Sequence, residues 1–226
     1  MTFTHNDIEV IFEDKDILVI DKPVGIPSED SQKGEKGIIS YLQTENRKTI
    51  HLLHRLDRNV GGVMVFAKNK KSAAALSTDI AQRRFFKTYL AVTDGIPESR
   101  EGVCKDLLFK DSKKNRSFVV DRMRKGVKEA SLEYRVLSEN DGKALVRVLL
   151  HTGRTHQIRV QFSSRKTPLT GDGRYGSRDR GCDVALFSHI ISFNHPVSGE
   201  LMEFKKYPRF EDYPWSCFGG ADFGNN

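Results

Sequence analysis

The sequence predicts an α+β fold, with a largely antiparallel, mixed central sheet and flanking helices. Three observations carry this reading. Segments with strand character outnumber helical ones, several follow each other without a helical crossover, and helical periodicity is confined to a few stretches. A doubly wound parallel sheet needs a crossover between its strands and is disfavoured on that ground. At 226 residues the chain can bury a sizeable core, as one large domain or two small lobes, and a single domain, 1–226, is expected.

The elements follow in order. Ile8–Phe12 and Ile17–Ile20 read as strands around the turn Glu13-Asp14-Lys15-Asp16. Lys22-Pro23-Val24-Gly25-Ile26-Pro27-Ser28 breaks into a loop, and the polar residues 29–36 are expected to be mobile. Gly37–Asn46 fits a short helix. The apolar run 62–67 is a strand, and Lys71–Arg84 is a helix with Ala73, Ala74, Leu76, Ile80 and Ala81 at helical spacing. Thr88–Val92, 117–121, 131–137 and Ala144–Leu150 are strands. Arg154–Ser163 reads as a helix, 170–176 as a loop, and Ile190–Phe193 with Leu201–Phe204 as a hairpin. The tail after Pro208 is expected to fray. No repeat of 20–50 residues is present.

Composition excludes several classes. Hydrophobic residues at 38% and charged ones at 30% describe a soluble globular chain, and no window reaches the roughly 18 apolar residues of a membrane span. The N-terminus lacks the positive start and apolar stretch of a signal peptide. Cys104, Cys182 and Cys217 form neither a CxxC pair nor an even disulfide set, so a reducing cytoplasm is expected. The net charge of +7 points to a polyanionic partner. Residues 105–128 hold nine basic residues against three acidic ones, about the whole surplus in a tenth of the length. With Phe118 and the pair Val119-Val120 inside it, this stretch reads as a strand and loops with a basic rim. Arg83-Arg84-Phe85-Phe86-Lys87 mixes cations with aromatics, which suits phosphates and unstacked bases.

Two short clusters carry the chemistry. His54-Arg55-Leu56-Asp57 sets a carboxylate between Arg55 and Arg58 on the approach to a buried strand. Nearby opposite charges favour the ionised form of a carboxyl group, which nucleophilic work requires. Taken alone, these residues fit an ordinary salt bridge as well. Gly153-Arg154-Thr155-His156-Gln157-Ile158-Arg159 follows an apolar strand, and a helical turn there sets Thr155, Ile158 and Arg159 on one side. Taken alone, it equally fits a basic helix start. His54, His156, His189 and His195 are scattered without HxxxH or HxH spacing, no serine sits in a nucleophile elbow, and no glycine-rich nucleotide loop occurs.

Together these clusters resemble the RluA-type pseudouridine synthases over residues 8–208. The resemblance rests on Glu13-Asp14 with Leu18-Val19-Ile20-Asp21-Lys22-Pro23-x-Gly25, on His54-Arg55-Leu56-Asp57, on Lys87-x-Tyr89-x-Ala91, and on 153–160. Gly171-Asp172-x-x-Tyr175-Gly176 and His195-Pro196-x-x-Gly199 with Phe204 extend it. It departs at Val60-Gly61-Gly62, where the family usually has Thr-Ser-Gly, and at Gln161, where it usually has histidine. The resemblance leads to the expectation of a catalytic core without the small N-terminal RNA-binding domain of many relatives, with the core itself gripping the substrate.

The resemblance implies an isomerase that converts uridine in ribosomal or transfer RNA to pseudouridine, with RNA as partner, no membrane, no metal and no cofactor, acting as a monomer. Asp57 would be the nucleophile, attacking sugar or base, or would remove a sugar proton. Arg159 would pair with it, Tyr89 would pack on the uracil, and Ile158 would line the pocket. Arg55 would fill the space left by the flipped nucleotide, while Lys22, Arg84, Lys87 and Arg154 would hold phosphates. Two rivals remain at this point. One is a catalytically inactive RNA-binding protein on the same fold, supported by the Val60-Gly61 departure. The other is a nuclease using His54 and Asp57.

Overall fold

The computed structural model describes residues 8–31, 34–43 and 49–220. In chain order its elements are β1 (Glu9–Glu13), β2 (Ile17–Lys22), α1 (Ile38–Leu42), β3 (His51–Leu52), β4 (Gly61–Ala67), α2 (Lys70–Ala81) and β5 (Phe86–Asp94). There follow β6 (Glu101–Asp111), β7 (Arg116–Val120), β8 (Val127–Asn140), β9 (Lys143–Leu150), α3 (Gln157–Ser164), β10 (Leu186–Asn194) and β11 (Leu201–Lys205). Single 3-10 turns occupy Gly173–Tyr175 and Trp215–Phe218. The expected α+β class holds. The chain divides into two compact units, one of residues 1–87 with 187–208 and one of residues 88–186 with 209–226.

In the first unit β1, β2 and β4 are antiparallel neighbours, β3 adds to β4, β10 runs parallel to β4, and β11 pairs antiparallel with β10. Every residue of β4 is buried, which explains why its sequence is a continuous apolar run with no alternation. Val63, Val65 and Ala67 pack with Ile17, Val19, Leu76, Phe85, Ile191 and Phe193. Met64 and Phe66, of the opposite pleat, are equally closed to solvent. Helix α2 is tied to the β1–β2 turn through its cap. The Asn69 side chain accepts from the Ser72 amide at 2.9 Å, and Asn69 and Ser72 both donate to Asp16 Oδ1, at 2.9 and 3.0 Å.

In the second unit β5, β9, β8, β6 and β7 form a wholly antiparallel series. Here strands alternate. Cys104 and Leu108 of β6 are buried while Lys105 and Lys110 face water, and this density of charge hid β6 from the sequence reading. Helix α3 begins at Gln157, three residues later than expected, because the Gln157 side chain closes the preceding turn. Its Oε1 accepts from the Arg154 amide (3.0 Å) and from Thr152 Oγ1 (2.7 Å), and its Nε2 donates to Ser131 O (3.1 Å). The segment expected to fray is anchored through residue 218. Phe218 packs against Val92, Leu145 and Ala185, and Asn140 donates to Cys217 O at 2.7 Å. Helix α1 covers only part of the expected 37–46, and residues 44–48 lie outside the described residues, as do the N-terminal seven and the last six.

The junction of the Asp57 loop with β4 is a tight point of the first unit. Gly62 has φ +111°, and a Cβ built there would lie 2.2 Å from the Ser188 carbonyl oxygen of the parallel neighbour β10. Only glycine meets both demands. Gly62→Ala should therefore destabilise the protein by on the order of 3 kcal/mol or more, read as a lower urea midpoint at unchanged slope; a shift under about 0.5 kcal/mol would contradict this packing.

Candidate active site

Asp57 sits in a backbone-made turn at the entrance to β4, where the Val60 amide donates to Asp57 O at 3.0 Å. The turn needs no hydroxyl at position 60. Val60 is itself buried, a setting that suits a hydrocarbon side chain. Asp57 is partly exposed, while Leu56 on one side and Val60 beyond it are buried. The loop is fixed from below by Ser28, whose Oγ donates to Leu56 O (2.8 Å) and accepts from the Leu56 amide (3.0 Å).

The two arginines flanking Asp57 point elsewhere. Arg55 pairs with Glu29 and Arg58 with Glu35, each at 2.7 Å and each on an exposed surface. Inside this unit Lys22, expected to hold a phosphate, is a cation whose charge couples to Asp57. That assignment is corrected: Lys22 is fully buried, and its Nζ donates to the carbonyls of Pro23 (2.8 Å), Ile26 (2.7 Å) and Arg58 (3.4 Å). Burial pushes Lys22 down to about 7, while the charges of Asp57 and Asp21 act in the opposite direction. The Gly25 amide also donates to Arg58 O, at 2.9 Å. One ammonium thus ties the loop after β2 to the loop that carries Asp57.

His54 cannot serve a nuclease. It is buried, its Nε2 accepts from the Val65 amide at 3.3 Å, and burial together with the nearby Lys87 charge pushes it down to about 3. A neutral imidazole inside the core is a packing group, in contact with Phe85. Arg84 is exposed but gripped by Asp79 through Nε (3.1 Å) and Nη2 (2.6 Å). Lys87 is half-buried and pushed down by burial. Asp14, Asp16 and His195 place three potential ligand atoms within 4.8 Å of one another. They already carry structural bonds, with Asp14 accepting from the Asp16 and Ile17 amides at 2.7 Å and meeting His195 Nε2 at 2.9 Å.

The second unit holds Tyr89, Arg154, Ile158 and Arg159. Tyr89 is a buried residue of β5, opposite Val148 of β9. Ile158 and Arg159 lie in the first turn of α3, both buried. Arg154 is bonded through Nε to Glu129 O at 2.9 Å. The partner that sequence reasoning missed is Asp172. Its carboxylate takes Arg159 Nε at 2.6 Å and Nη2 at 2.9 Å, a bidentate grip in which both side chains are at least nine-tenths buried. Tyr175 sits 5.1 Å from the same guanidinium, and its hydroxyl accepts from the Ser117 amide at 2.8 Å and meets His156 Nδ1 at 3.0 Å. His156 adopts a left-handed φ of 54° just ahead of α3. The motif 171–176 was visible in the sequence, but only its fold neighbours show that it aims an arginine.

The basic stretch 105–128 forms the β6–β7 hairpin and the run into β8. Eight of its nine cations are exposed, and Arg116 is drawn in between Phe118 (5.3 Å) and Tyr175 (5.0 Å).

Comparison with known proteins agrees with these motifs. Residues 16–164 match the family model described as RNA pseudouridylate synthase. The Bacillus subtilis protein named Uncharacterized RNA pseudouridine synthase YhcT is 33% identical over 208 residues, covering 88% of this chain and 68% of that one. The Buchnera aphidicola protein named Ribosomal large subunit pseudouridine synthase C is 32% identical over 205 residues, covering 85% and 65%. The chain thus spans about two thirds of the length of these relatives. Among solved structures, human RNA Pseudouridylate Synthase Domain Containing 4 aligns with a TM-score of 0.73 at 25% identity, over 89% of both chains. Human RNA Pseudouridylate Synthase Domain Containing 1, at 21% identity and a TM-score of 0.76 over 93% of this chain and 87% of that one, shares the fold.

The buried Lys22 makes a pH prediction. A base whose pKa falls from 10.5 to about 7 on folding binds fewer protons folded than unfolded between those values, so its contribution makes stability rise with pH across that window. Between pH 7 and 9.5 the wild type should gain on the order of 2 kcal/mol relative to Lys22→Met in urea unfolding. Parallel pH curves for the two proteins would place the Lys22 ammonium in water.

Proposed function

The chain belongs to the RNA pseudouridylate synthase family, whose members are isomerases, and from this membership we propose that it converts uridine to pseudouridine within folded ribosomal or transfer RNA, with Asp57 as its nucleophile. The observation that carries the reading is the Asp57 turn itself. A partly exposed carboxylate stands at the entrance to a wholly buried strand, and its charge couples to a buried lysine. Structural salt bridges are seldom built so; a reactive group needs this combination of rigidity and access.

In the proposed reaction the C1′–N1 bond of uridine breaks, the uracil turns, and C5 bonds to C1′. The proton that leaves C5 is balanced by one gained at N1, so no redox partner or external energy is required. Asp57 acts on the extruded nucleoside, Tyr89 packs on the base, Ile158 lines the apolar wall, and Arg159 is the counter-charge to the nucleophile. Reaching a uracil inside a helix costs a few kcal/mol of unstacking, and the exposed Arg55 is suited to fill the space left behind. Arg84, Lys87, Arg154 and the exposed cations of 105–128 would hold phosphates, with Lys22 removed from that set by its burial. Ribosomal RNA as a target is supported by the name of the Buchnera relative.

Asp57→Asn should bind RNA within about threefold of wild type yet form pseudouridine at under about one thousandth of its rate, measured by tritium release from C5-labelled uridine RNA. Turnover near the wild-type rate would refute the assignment, and wild-type turnover on total RNA separates an enzyme from an inactive RNA-binding protein. Arg159→Met should lose about a hundredfold or more in kcat, and a rate close to wild type removes its proposed role. Mapping pseudouridines in cells with and without the gene identifies the target.

A further inference from the structure

The loop that carries Asp172 is held by a carboxylate that lies outside it. Asp94, the last residue of β5, accepts from Lys143 Nζ at 2.6 Å, Thr170 Oγ1 at 2.7 Å and Ser177 Oγ at 2.5 Å. Thr170 and Ser177 bracket the segment that presents Asp172. Ser177 passes the hold inward: its Oγ accepts from the Gly171 amide at 3.1 Å, and its own amide donates to Asp172 O at 3.1 Å. Gly171, at φ +78°, leaves no room for a side chain, since a Cβ would lie 2.3 Å from the Asp183 carbonyl oxygen. The backbone here has one path. Lys143 also reaches Asp179 Oδ2 at 3.2 Å, and Tyr213 bonds to the same carboxylate.

We propose that Asp94 is a positioning residue for Arg159, fixing through Thr170 and Ser177 the loop whose Asp172 grips that guanidinium. The role rests on the reading that Arg159 serves the isomerisation. Two of the three donors on this carboxylate, the Thr170 and Ser177 hydroxyls, come from either side of the segment that presents Asp172. Burial would raise the Asp94 carboxyl, yet the bonds from Lys143, Ser177 and Thr170 hold it below the usual carboxylate range. The hub therefore stays charged, and it carries its full set of bonds, at neutral pH. Asp94 bonds to Lys143, Thr170 and Ser177. Its effect reaches the guanidinium through the chain from 170 to 177.

The test compares wild type, Asp94→Asn and Ser177→Ala as full-length proteins. In an arginine-labelled nitrogen-15 spectrum the Arg159 Nε–H signal is identified by its loss in Arg159→Lys; bonded to Asp172, it should resonate downfield and exchange slowly with water. In Asp94→Asn, folded by circular dichroism and cooperative melting, that signal should exchange about tenfold faster or more. Over the same substitution kcat should fall about tenfold to a hundredfold with KM for RNA within about threefold. A structural role alone would lower the melting temperature and leave the Arg159 signal and the kcat of the folded protein unchanged, and that result overturns the proposal. Should Asp94→Asn fail to fold, Ser177→Ala removes only the relaying hydroxyl and decides by the same two readouts. Should wild type make no pseudouridine on any RNA, the functional reading fails, and the exchange of the Arg159 signal alone decides whether Asp94 positions it.

Discussion

Burying an ammonium costs several kcal/mol unless its hydrogens are met by acceptors, and the loop that carries Asp57 depends on how this protein meets that cost at Lys22. Three backbone carbonyls, those of Pro23, Ile26 and Arg58, take the ammonium. They belong to two loops distant in sequence, so desolvating the charge and joining the loops are one event. The charge coupling to Asp57 follows from the same placement. Were Lys22 at the surface, it would add to the protein's exposed charge; inside, it fastens the turn that carries Asp57.

The second unit solves a comparable problem, again with a cation at its centre. Arg159 is buried in the first turn of a helix, where helix ends already leave amide groups seeking partners. Asp172 neutralises it in bidentate geometry, and Tyr175 lies beside it. The carboxylate is in turn delivered by a loop with little conformational choice. Each unit therefore presents a charged group whose direction is set by buried partners. Polar networks of this kind are costly when incomplete and rigid when complete, which is what a reaction needing fixed geometry demands.

Much of this was legible in the sequence because the relevant residues are neighbours. His54–Asp57 and Gly153–Arg159 stand out as clusters, and the apolar run into β4 announces a strand closed on both sides. Other features resist such reading for physical reasons. A lysine before a proline reads as solvent-facing, and only the carbonyls converging on it reveal its burial. The ion pair Arg159–Asp172 joins positions 13 apart across a helix and a glycine-bearing loop, so no periodicity exposes it. Strand β6 alternates buried and exposed residues, but its lysines and aspartates dilute the apolar signal. The flanking arginines at 55 and 58 misled for a simple reason: adjacency in a loop says nothing about where long side chains turn, and both turn to glutamates.

The junction between the Asp57 turn and β4 also grades the latitude left to evolution or to a designer. At 60 a branched apolar side chain is buried on a backbone without positive φ. At 61 a methyl-sized addition would sit 3.1 Å from the Lys22 carbonyl oxygen and from Val24, so only a small substituent fits, and the neighbours must yield by tenths of an ångström. At 62 there is no room at all. Three consecutive positions thus pass from permissive to forbidding within a few ångströms, and diversity introduced to retune this enzyme belongs at the first of them.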